Sequence, residues 1–470
     1  MVNRSASIYA FLVDLPSRHV EPCDTSRELL EVGQTEKLLG LLTSMASTNE
    51  FYRRKLGGAV SDLGKALGSG PSVRACEILR RLPFTTKTEL EDDQERHPPF
   101  GSNLTFPLER YARIHRTSGT SGRPLWWLDT PASWEWWLSI WREIYSGFQL
   151  TPSDRLFIPF SFGPFIGFWA AFEGAVGLGH LAIPAGGMST KARLKMLLET
   201  GATVVVATPT YALHMAGVAR EEGVDLRSSS VRALVVAGEP GGSLPATRKR
   251  MESEWGARCF DHCGMTEMGP VGFECVENPG GMHVIESEFV VEVVEPKSGA
   301  PVSASERQEH GVVEGELVLT NLGRTGSPLV RYRTGDVVRW SKEPCPCGRP
   351  WGRLVGGILG RLDEMVFIRG NNVYPGAIEA IIRKFSEVVE FRILVRHSAG
   401  TTALEVEIEP APAAAGPRKV PATTALRKRV ASALEEAFLF RVVVKEVAPG
   451  SLPRFELKAK RFIMVREGET

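Results

Sequence analysis

The sequence of 470 residues has no long apolar run, no excess of charge of either sign and no cysteine pattern typical of secreted proteins. The chain has 56 basic and 55 acidic residues, so the charges nearly balance. It has neither a basic stripe that would predict nucleic-acid binding nor an acidic tail that would predict disorder. The apolar runs at 157–174 and 203–208 are broken by glycine and proline, so neither is predicted to span a membrane. The apolar patch Ile8–Leu12 is too short for a signal peptide. We expect a cytoplasmic protein without nucleic-acid or membrane partners.

Cysteine content and chain length limit which classes of protein and how many domains are expected. Seven cysteines are an odd number in a long chain, which disfavours a disulfide framework. Hydrophobic residues make up 43% of the chain, as in soluble proteins with a sizeable core. The length predicts one large domain and at least one smaller domain.

Hydrophobic periodicity predicts mixed secondary structure. Residues 27–56 have the apolar spacing of helices, and Ser133–Phe148 places Trp and Tyr at helical spacing. This aromatic stripe is interpreted as a buried helix face rather than as a ligand-binding surface. From Asp154 to Val236, strand-like and helical segments alternate, which predicts a parallel or mixed sheet flanked by helices. Ligands in such sheets bind at the carboxyl ends of the strands.

The predicted secondary structure changes twice in the second half of the chain. Residues 311–340 are β-rich, and the glycine-rich segment Gly352–Arg361 is predicted to be an inter-domain linker. From Val366 onward a separate strand–helix alternation begins. The predicted fold is α/β, with a large N-terminal domain (1–360) and a small α+β C-terminal domain (361–470).

The most informative motif is a loop of hydroxyl residues and glycines, Thr117-Ser118-Gly119-Thr120-Ser121-Gly122-Arg123-Pro124. Glycines permit tight turns, and the hydroxyl and amide groups can converge on anionic oxygens. The loop could therefore cradle the phosphates of a nucleotide. It is not a Walker A motif, since no Gly-Lys-Ser/Thr follows.

Further motifs accompany this loop in a fixed order: Leu82–Lys87, His115–Gly122, Gly264–Glu267, Tyr332–Asp336, Gly360–Asp363, Arg369–Pro375, and Pro453-Arg454 with Lys458. Together they resemble the adenylate-forming superfamily and, within it, the phenylacetate–CoA ligase family. The resemblance extends from about residue 50 to the end of the chain.

The resemblance implies an enzyme that activates a small aromatic acid with ATP to an acyl-adenylate and then forms a coenzyme A thioester. Glu267 would hold Mg²⁺, and Thr266 would contact the α-phosphate. Asp336 would bind the ribose hydroxyls, and Lys458 would bridge the carboxylate and the α-phosphate. Asp363 would be the hinge of a mobile C-terminal domain. The residues that the resemblance assigns to nucleotide binding are His115, Thr117, Ser118, Gly119, Thr120, Ser121, Gly122, Gly238, Glu239, Asp261, Cys263, Gly264, Met265, Asp336, Arg361 and Asp363.

Two positions depart from the family pattern. Cys263 stands where the family has a tyrosine that packs on adenine, and a thiol offers no comparable stacking surface. Leu457 stands where the family has glycine before the terminal lysine, and Lys460 is a local competitor of Lys458.

A zinc site is predicted from Cys345-Pro346-Cys347, a compact chelating turn, together with Cys275 and His283. Three thiolates and one imidazole make a closed tetrahedral set, which is typical of structural zinc. Some relatives in the resembling family carry such a zinc. The alternatives are that Cys259, His262 or Cys263 are ligands, or that the residues are unrelated buried thiols.

The resemblance also implies an acyl pocket. Its predicted lining residues are Phe162, Phe165, Ile166, Tyr211, His214, Ala237 and His262. Aromatic and small side chains suit a flat apolar ring, so phenylacetate, benzoate, anthranilate and hydroxybenzoates are all candidates. His214 and His262 could hydrogen-bond a ring substituent, or they could be structural histidines.

Two other functions remain open from the sequence. The adenylate could pass to the phosphopantetheine thiol of an acyl-carrier protein, because that thiol ends the same arm as coenzyme A. Alternatively, the chain could be a non-catalytic nucleotide-binding module, which the Cys263 substitution favours and the intact Lys458, Glu267 and Asp336 disfavour. Either a monomer or a homodimer is compatible with the sequence.

Overall fold

The structure is a computed structural model that describes residues 27–57, 73–117, 123–160, 162–302, 311–368, 371–398, 401–411, 422–455 and 459–465. Its helices are α1 (Arg27–Thr48), α2 (Glu50–Leu56), α3 (Ala75–Leu79), α4 (Lys87–Arg96), α5 (Pro131–Gly147), α6 (Ile166–Gly177), α7 (Thr190–Glu199), α8 (Pro209–Glu221), α9 (Pro245–Trp255), α10 (Pro375–Ile382) and α11 (Ala422–Phe438). Within this part of the chain, no helix has the length and apolar character needed to cross a bilayer.

The strands follow the same chain order. They are β1 (Arg113–Arg116), β2 (Trp126–Asp129), β3 (Arg155–Ile158), β4 (Leu181–Pro184), β5 (Val204–Ala207), β6 (Ala233–Ala237), β7 (Arg258–Met265), β8 (Gly269–Phe273), β9 (Gly281–Val284), β10 (Phe289–Val294), β11 (Val312–Asn321), β12 (Tyr332–Ser341), β13 (Arg353–Arg361), β14 (Val366–Ile368), β15 (Asn371–Val373), β16 (Val388–Ser398), β17 (Thr401–Pro410), β18 (Val443–Glu446) and β19 (Phe462–Val465).

The largest sheet among the described residues has 11 strands in the order β10-β11-β12-β13-β9-β8-β7-β6-β5-β3-β4. The strands from β4 to β7 are parallel, and those from β7 to β10 are antiparallel to their neighbours. Strand β5 is buried along its whole length, as is typical of parallel strands that lie between layers of helices. The predicted mixed sheet flanked by helices is confirmed.

Helix α5 carries the aromatic stripe noted in the sequence. Thr130 caps its first turn by accepting a hydrogen bond from the Ser133 amide at 3.1 Å. The stripe is buried in the main hydrophobic core, with Trp137 and Tyr145 both 1% exposed. The interpretation of this stripe as a buried helix face is therefore confirmed.

The predicted linker Gly352–Arg361 is wrong, since residues 353–361 form strand β13 inside the largest sheet, paired with β12 and β9. Leu354 on this strand is completely buried. A Cβ at Gly360 would lie 2.6 Å from the Tyr374 ring. The glycines therefore permit close packing of neighbours rather than chain flexibility.

A second hydrophobic core lies in the C-terminal region. It combines the four-stranded sheet β18-β17-β16-β19 with helices α10 and α11, and its buried residues run from Val366 to Val444. The main core ends at Leu354. A separate small α+β domain is thus confirmed, whereas its exact border at 360/361 stays a prediction that the two cores support.

Candidate active site

A β-hairpin carries the predicted phosphate loop between antiparallel strands β1 and β2. At the base of the loop, the Thr117 amide donates to the Leu125 carbonyl at 3.0 Å, and the Leu125 amide donates to Thr117 Oγ1 at 2.9 Å. Thr117 therefore pairs with Leu125 at the base of the loop through both its backbone amide and its hydroxyl. Five loop residues lie outside the described residues, so their phosphate contacts stay a prediction: Ser118, Gly119, Thr120, Ser121 and Gly122.

His115 lies on strand β1, two residues before Thr117, and is buried. Its imidazole stacks on Trp134 with ring centroids 5.5 Å apart, and its Nδ1 lies 3.9 Å from Asp129 Oδ2. Burial lowers the pKa of His115 to about 4, although the Asp129 carboxylate opposes this shift. The ring is neutral at pH 7, so it supplies no positive charge to phosphates. Its assignment to nucleotide binding stays a prediction.

Arg324 joins the hairpin to the Thr266–Glu267 turn. Its Nε and Nη2 donate to the two Asp129 carboxylate oxygens at 2.8 and 2.7 Å, and both side chains are fully buried. Its Nη1 donates to the carbonyls of Thr266 and Glu267 at 2.6 and 3.0 Å. A guanidinium can serve these acceptors together because its donors lie in one rigid plane.

Arg324 is a site residue that no sequence motif identifies. Its partner Asp129 is 195 residues away in the chain, and both residues lie outside the family motifs. The guanidinium also packs between Trp127 and Trp137, 5.0 and 5.3 Å from their ring centroids. An aromatic-rich helix that follows a hairpin gives no signal for a buried arginine partner.

The charge of Glu267, predicted to hold Mg²⁺, acts on Asp336, predicted to bind the ribose. Asp336 is buried, and burial raises its pKa to about 6. Arg361 opposes this rise, whereas the charges of Asp363 and Glu267 add to it. Glu267 and Asp336 thus repel each other, and a divalent cation or hydroxyl donors of a ligand would relieve that repulsion.

Arg361 binds the carboxylates of both Asp336 and Asp363. Its Nη1 donates to Asp336 Oδ1 at 3.2 Å, while Nε and Nη2 donate to Asp363 at 2.9 and 3.0 Å. Asp336 and Arg361 are direct partners across strands β12 and β13. The structure therefore brings together three residues that the sequence assigned to the nucleotide. Hinge motion at Asp363 stays a prediction.

Strand β7 presents successive predicted site residues on alternating faces. The side chains of Asp261 and Cys263 share one face, and His262 lies on the other. Burial raises the pKa of Asp261 to about 7, opposed by a hydrogen bond from Ser243 Oγ. Burial also raises the pKa of Cys263, with Asp261 and Asp336 acting in the same direction. Cys263 is therefore a neutral thiol near both carboxylates.

Glycines line this part of the predicted nucleotide site. Gly264 and Met265 lie where β7 meets β8, and a Cβ at Gly264 would lie 2.9 Å from the Gly269 carbonyl oxygen. Gly238 has a φ of 93°, a region that disfavours other residues. Gly264 and Gly238 are thus required by backbone shape rather than by side-chain chemistry.

Both oxygens of Glu239 accept hydrogen bonds from backbone amides. The Thr210 amide donates to Oε1 at 2.7 Å, and the Ala459 amide donates to Oε2 at 2.8 Å. Burial raises the pKa of Glu239. Lys458, which directly precedes Ala459, lies outside the described residues, and its catalytic role stays a prediction.

Four of the seven predicted acyl-pocket residues form two pairs. Tyr211 and His214 contact each other on α8 with ring centroids 5.9 Å apart, while Ala237 and His262 are partners across β6 and β7. Arg193 Nη1 donates to the Tyr211 hydroxyl at 2.6 Å, so this hydroxyl has a protein partner. Roles toward an acid stay predictions for all of these residues.

Three further pocket residues lie around the start of α6. Phe162 packs against Trp169 and Phe172, with ring centroids 4.8 and 5.3 Å apart. Ile166 is buried, whereas Phe165 is 37% exposed. The packed rings therefore provide apolar surface at the start of α6, where Phe165 is the more exposed side chain.

His262 has the features of a structural histidine. Its Nδ1 donates to the Gly272 carbonyl at 2.7 Å, and its ring lies 4.8 Å from that of Trp141. Burial lowers its pKa to about 4, so it is neutral at pH 7.

The predicted zinc ligands converge. The ligand atoms of Cys275, His283, Cys345 and Cys347 all lie within 4.8 Å of one another. The alternative ligands on β7 do not belong to this cluster. His283 Nδ1 donates to the Trp351 carbonyl at 3.1 Å, which leaves Nε2 for a metal. The cluster connects the β8–β9 turn to the segment between β12 and β13.

The distances in the cluster fit zinc. Tetrahedral Zn–S bonds of about 2.3 Å require sulfur atoms roughly 3.8 Å apart, and Cys275 Sγ lies 3.6 Å from Cys345 Sγ. Cys347 Sγ lies 3.3 Å from His283 Nε2. A hydrogen bond from Cys275 and the nearby His283 hold the pKa of Cys347 well below its usual value. A thiolate is the form that binds a metal.

Comparison with known proteins places this site in a family. The chain matches the family model described as AMP-binding enzyme over residues 51–323, and the AMP-binding enzyme C-terminal domain over residues 370–466. It is 34% identical to the phenylacetate-coenzyme A ligase of Thermus thermophilus over 82% of each chain. It is 31% identical to the Escherichia coli enzyme of the same name, over 83% of this chain and 85% of the relative.

A similar solved structure is 2-hydroxyisobutyryl-CoA ligase in the postadenylation state with 2-HIB-AMP. Its TM-score is 0.84 at 30% identity, over 97% of this chain and 96% of that chain. The same ligase in the thioesterification state with 2-HIB-AMP and CoA gives a TM-score of 0.65 with the same identity and coverage. The chain belongs to the AMP-binding, adenylate-forming enzyme family, and within it to the phenylacetate–coenzyme A ligase family.

Proposed function

We propose that this chain activates an aromatic carboxylic acid with ATP and transfers the acyl group to coenzyme A. The observation that carries this proposal is the junction made by Arg324. It ties the hairpin of the phosphate loop, through Asp129, to the Thr266–Glu267 turn. Groups assigned to phosphates and to Mg²⁺ are thereby fixed relative to each other, and adenylation depends on such positioning.

The reaction has two displacement steps. In the first, a carboxylate oxygen of the acid attacks the α-phosphorus of ATP, and pyrophosphate leaves with the electrons of the broken P–O bond. In the second, a thiolate attacks the acyl carbon, and AMP leaves with the electrons of the C–O bond. Thr266 would orient the α-phosphate, and Lys458 would stabilise the charge between the two reactants. Glu267 would hold Mg²⁺, which neutralises phosphate charge when bound.

An aromatic acid is favoured by the character of the predicted pocket. Phe162 with its aromatic neighbours provides apolar ring surface, and the Tyr211 hydroxyl is already bound by Arg193. Burial of a flat ring against such a surface is favourable. The phenylacetate ligases among the relatives support the same substrate class.

Zinc would act structurally in this proposal. Its donor set is closed, with three thiols and one imidazole, so no coordination position remains for a substrate. It would fix the turn after β8. The neighbouring Glu274 accepts a hydrogen bond from the Asp261 amide at 3.1 Å, so this turn also supports β7.

Pyrophosphate release with Mg²⁺–ATP tests the proposal. The panel contains phenylacetate, benzoate, anthranilate, a hydroxybenzoate and the aliphatic 2-hydroxyisobutyrate, each with and without coenzyme A. Lys458→Ala should abolish acid-dependent release, and Lys460→Ala, two residues away, is the matched control. We expect release with an aromatic acid and stimulation by coenzyme A.

Other outcomes contradict the proposal in distinct ways. Release that only a phosphopantetheinylated carrier protein stimulates would identify the carrier-loading enzyme. Release only with 2-hydroxyisobutyrate would overturn the aromatic substrate class. ATP binding in calorimetry without release for any acid would favour a nucleotide-binding module.

A further inference from the structure

A short C-terminal segment contacts the N-terminal domain beside the predicted catalytic lysine. The Ala459 amide donates to Glu239 Oε2 at 2.8 Å, and Arg461 Nη1 donates to Thr210 Oγ1 at 3.1 Å. The second Glu239 oxygen accepts from the Thr210 amide at 2.7 Å. We call Thr210, Glu239, Ala459 and Arg461 the clasp. It closes a hydrogen-bonded ring between the two domains.

Arg461 is the side chain that joins the domains. It is only 7% exposed, and its Nε and Nη2 donate to the Glu390 carboxylate at 2.6 and 3.1 Å. Glu390 lies on β16 of the C-terminal sheet, so the guanidinium is fixed to its own domain. The remaining nitrogen then reaches across to Thr210. A buried contact to a charged donor of this kind is strong and depends on geometry.

The clasp belongs to one arrangement of the domains. Arg461 directly precedes β19, which pairs with β16, so this segment must move with the C-terminal sheet. A rigid rotation of that sheet would separate Ala459 from Glu239 and Arg461 from Thr210, while Arg461 would keep its contact with Glu390. This chain matches the postadenylation structure of the related ligase with a TM-score of 0.84 and its thioesterification structure with 0.65.

We propose that the clasp holds the C-terminal domain in the adenylation arrangement and opens before thioester formation, with Thr210 and Glu239 as positioning residues. The Ala459 nitrogen belongs to the peptide bond with Lys458, so its bond to Glu239 restrains the backbone that carries the lysine. This inference rests on the proposed ligase function. Neither Thr210 nor its contact with Arg461 follows from any motif in the sequence.

Thr210→Val is the sharpest variant, because it removes the hydroxyl and keeps the side-chain shape. Thr247→Val is the matched control. Thr247 is a buried threonine on α9 whose hydroxyl has no hydrogen-bond partner among the described residues. Thr210→Ser should restore the wild-type behaviour because it keeps the hydroxyl. Glu239→Gln tests the second arm of the clasp.

Two half-reactions are measured separately. Acid-dependent ATP–pyrophosphate exchange reports adenylation, and thioester formation from synthetic acyl-adenylate and coenzyme A reports the second step. Loss of one charged hydrogen bond shifts the arrangement by about tenfold. Thr210→Val should therefore lower the kcat of exchange by about tenfold without slowing the second step. Equal loss in both steps, or no loss in either, overturns the inference.

Hydrogen exchange of the peptide that contains Ala459 supplies a readout without activity. Thr210→Val and Glu239→Gln should each speed exchange there, while Thr247→Val should not. If the wild type lacks ligase activity but shows this pattern, the proposed function fails and the clasp stands. If exchange is the same in all variants, the clasp is wrong whatever the activity.

Discussion

Replacing Arg324 with methionine should destabilise the large domain strongly. The substitution leaves Asp129 as a fully buried carboxylate without its bidentate partner, and it removes the donor for two backbone carbonyls. Breaking a buried pair from one side costs about 3–5 kcal/mol. For a domain of roughly 330 residues, the unfolding entropy is about 0.7 kcal/mol/K, so Tm should fall by about 4–7 °C.

Calorimetry of purified variants measures this effect, with Arg220→Met as the control. Arg220 pairs with Glu254 at 2.6 Å but is 62% exposed, so its loss should cost less than about 1 kcal/mol. The double variant Asp129→Leu/Arg324→Met should lose less stability than the two single variants together, because no unpaired charge remains. Equal Tm values for Arg324→Met and the control, or strict additivity in the double variant, would refute this reasoning.

Two further predictions concern the metal cluster and the buried histidines. The purified wild type should contain about one zinc ion per chain by elemental analysis, Cys345→Ser should lose it on dialysis, and Cys76→Ser should retain it; metal-free wild type after growth in zinc would contradict the site. Because burial lowers the pKa of both His115 and His262 to about 4, the unfolded chain binds more protons between about pH 4 and 6.5, and these residues reduce stability as the pH falls through that window. NMR of the folded protein should show two histidine rings that stay neutral between about pH 5.5 and 8, assigned by His115→Gln and His262→Gln, and titration near pH 6.5 would show that the rings are accessible to solvent.

The sequence by itself determined the reaction class and predicted the four metal donors, whose ligand atoms converge in the structure. The order of the motifs can be read directly from the sequence. The spacing Cys-x-Cys places two thiols close together through local geometry alone. The alternation of strands and helices likewise predicted the mixed sheet, because periodicity is a property of neighbouring residues. The same local reasoning failed at Gly352–Arg361, since it could not distinguish glycines that permit close packing from glycines in a linker.

Only the tertiary structure decided which distant groups meet. Arg324 and Asp129 are 195 residues apart, and Glu239 and Ala459 are 220 residues apart. No local sequence pattern predicts such pairs. The partner of a buried charge is decided by the three-dimensional path of the chain, which brings distant residues together. The protonation of His115 and Asp336 was decided in the same way. Burial, which determines the pKa of each group, is a property of the folded molecule rather than of the residue type.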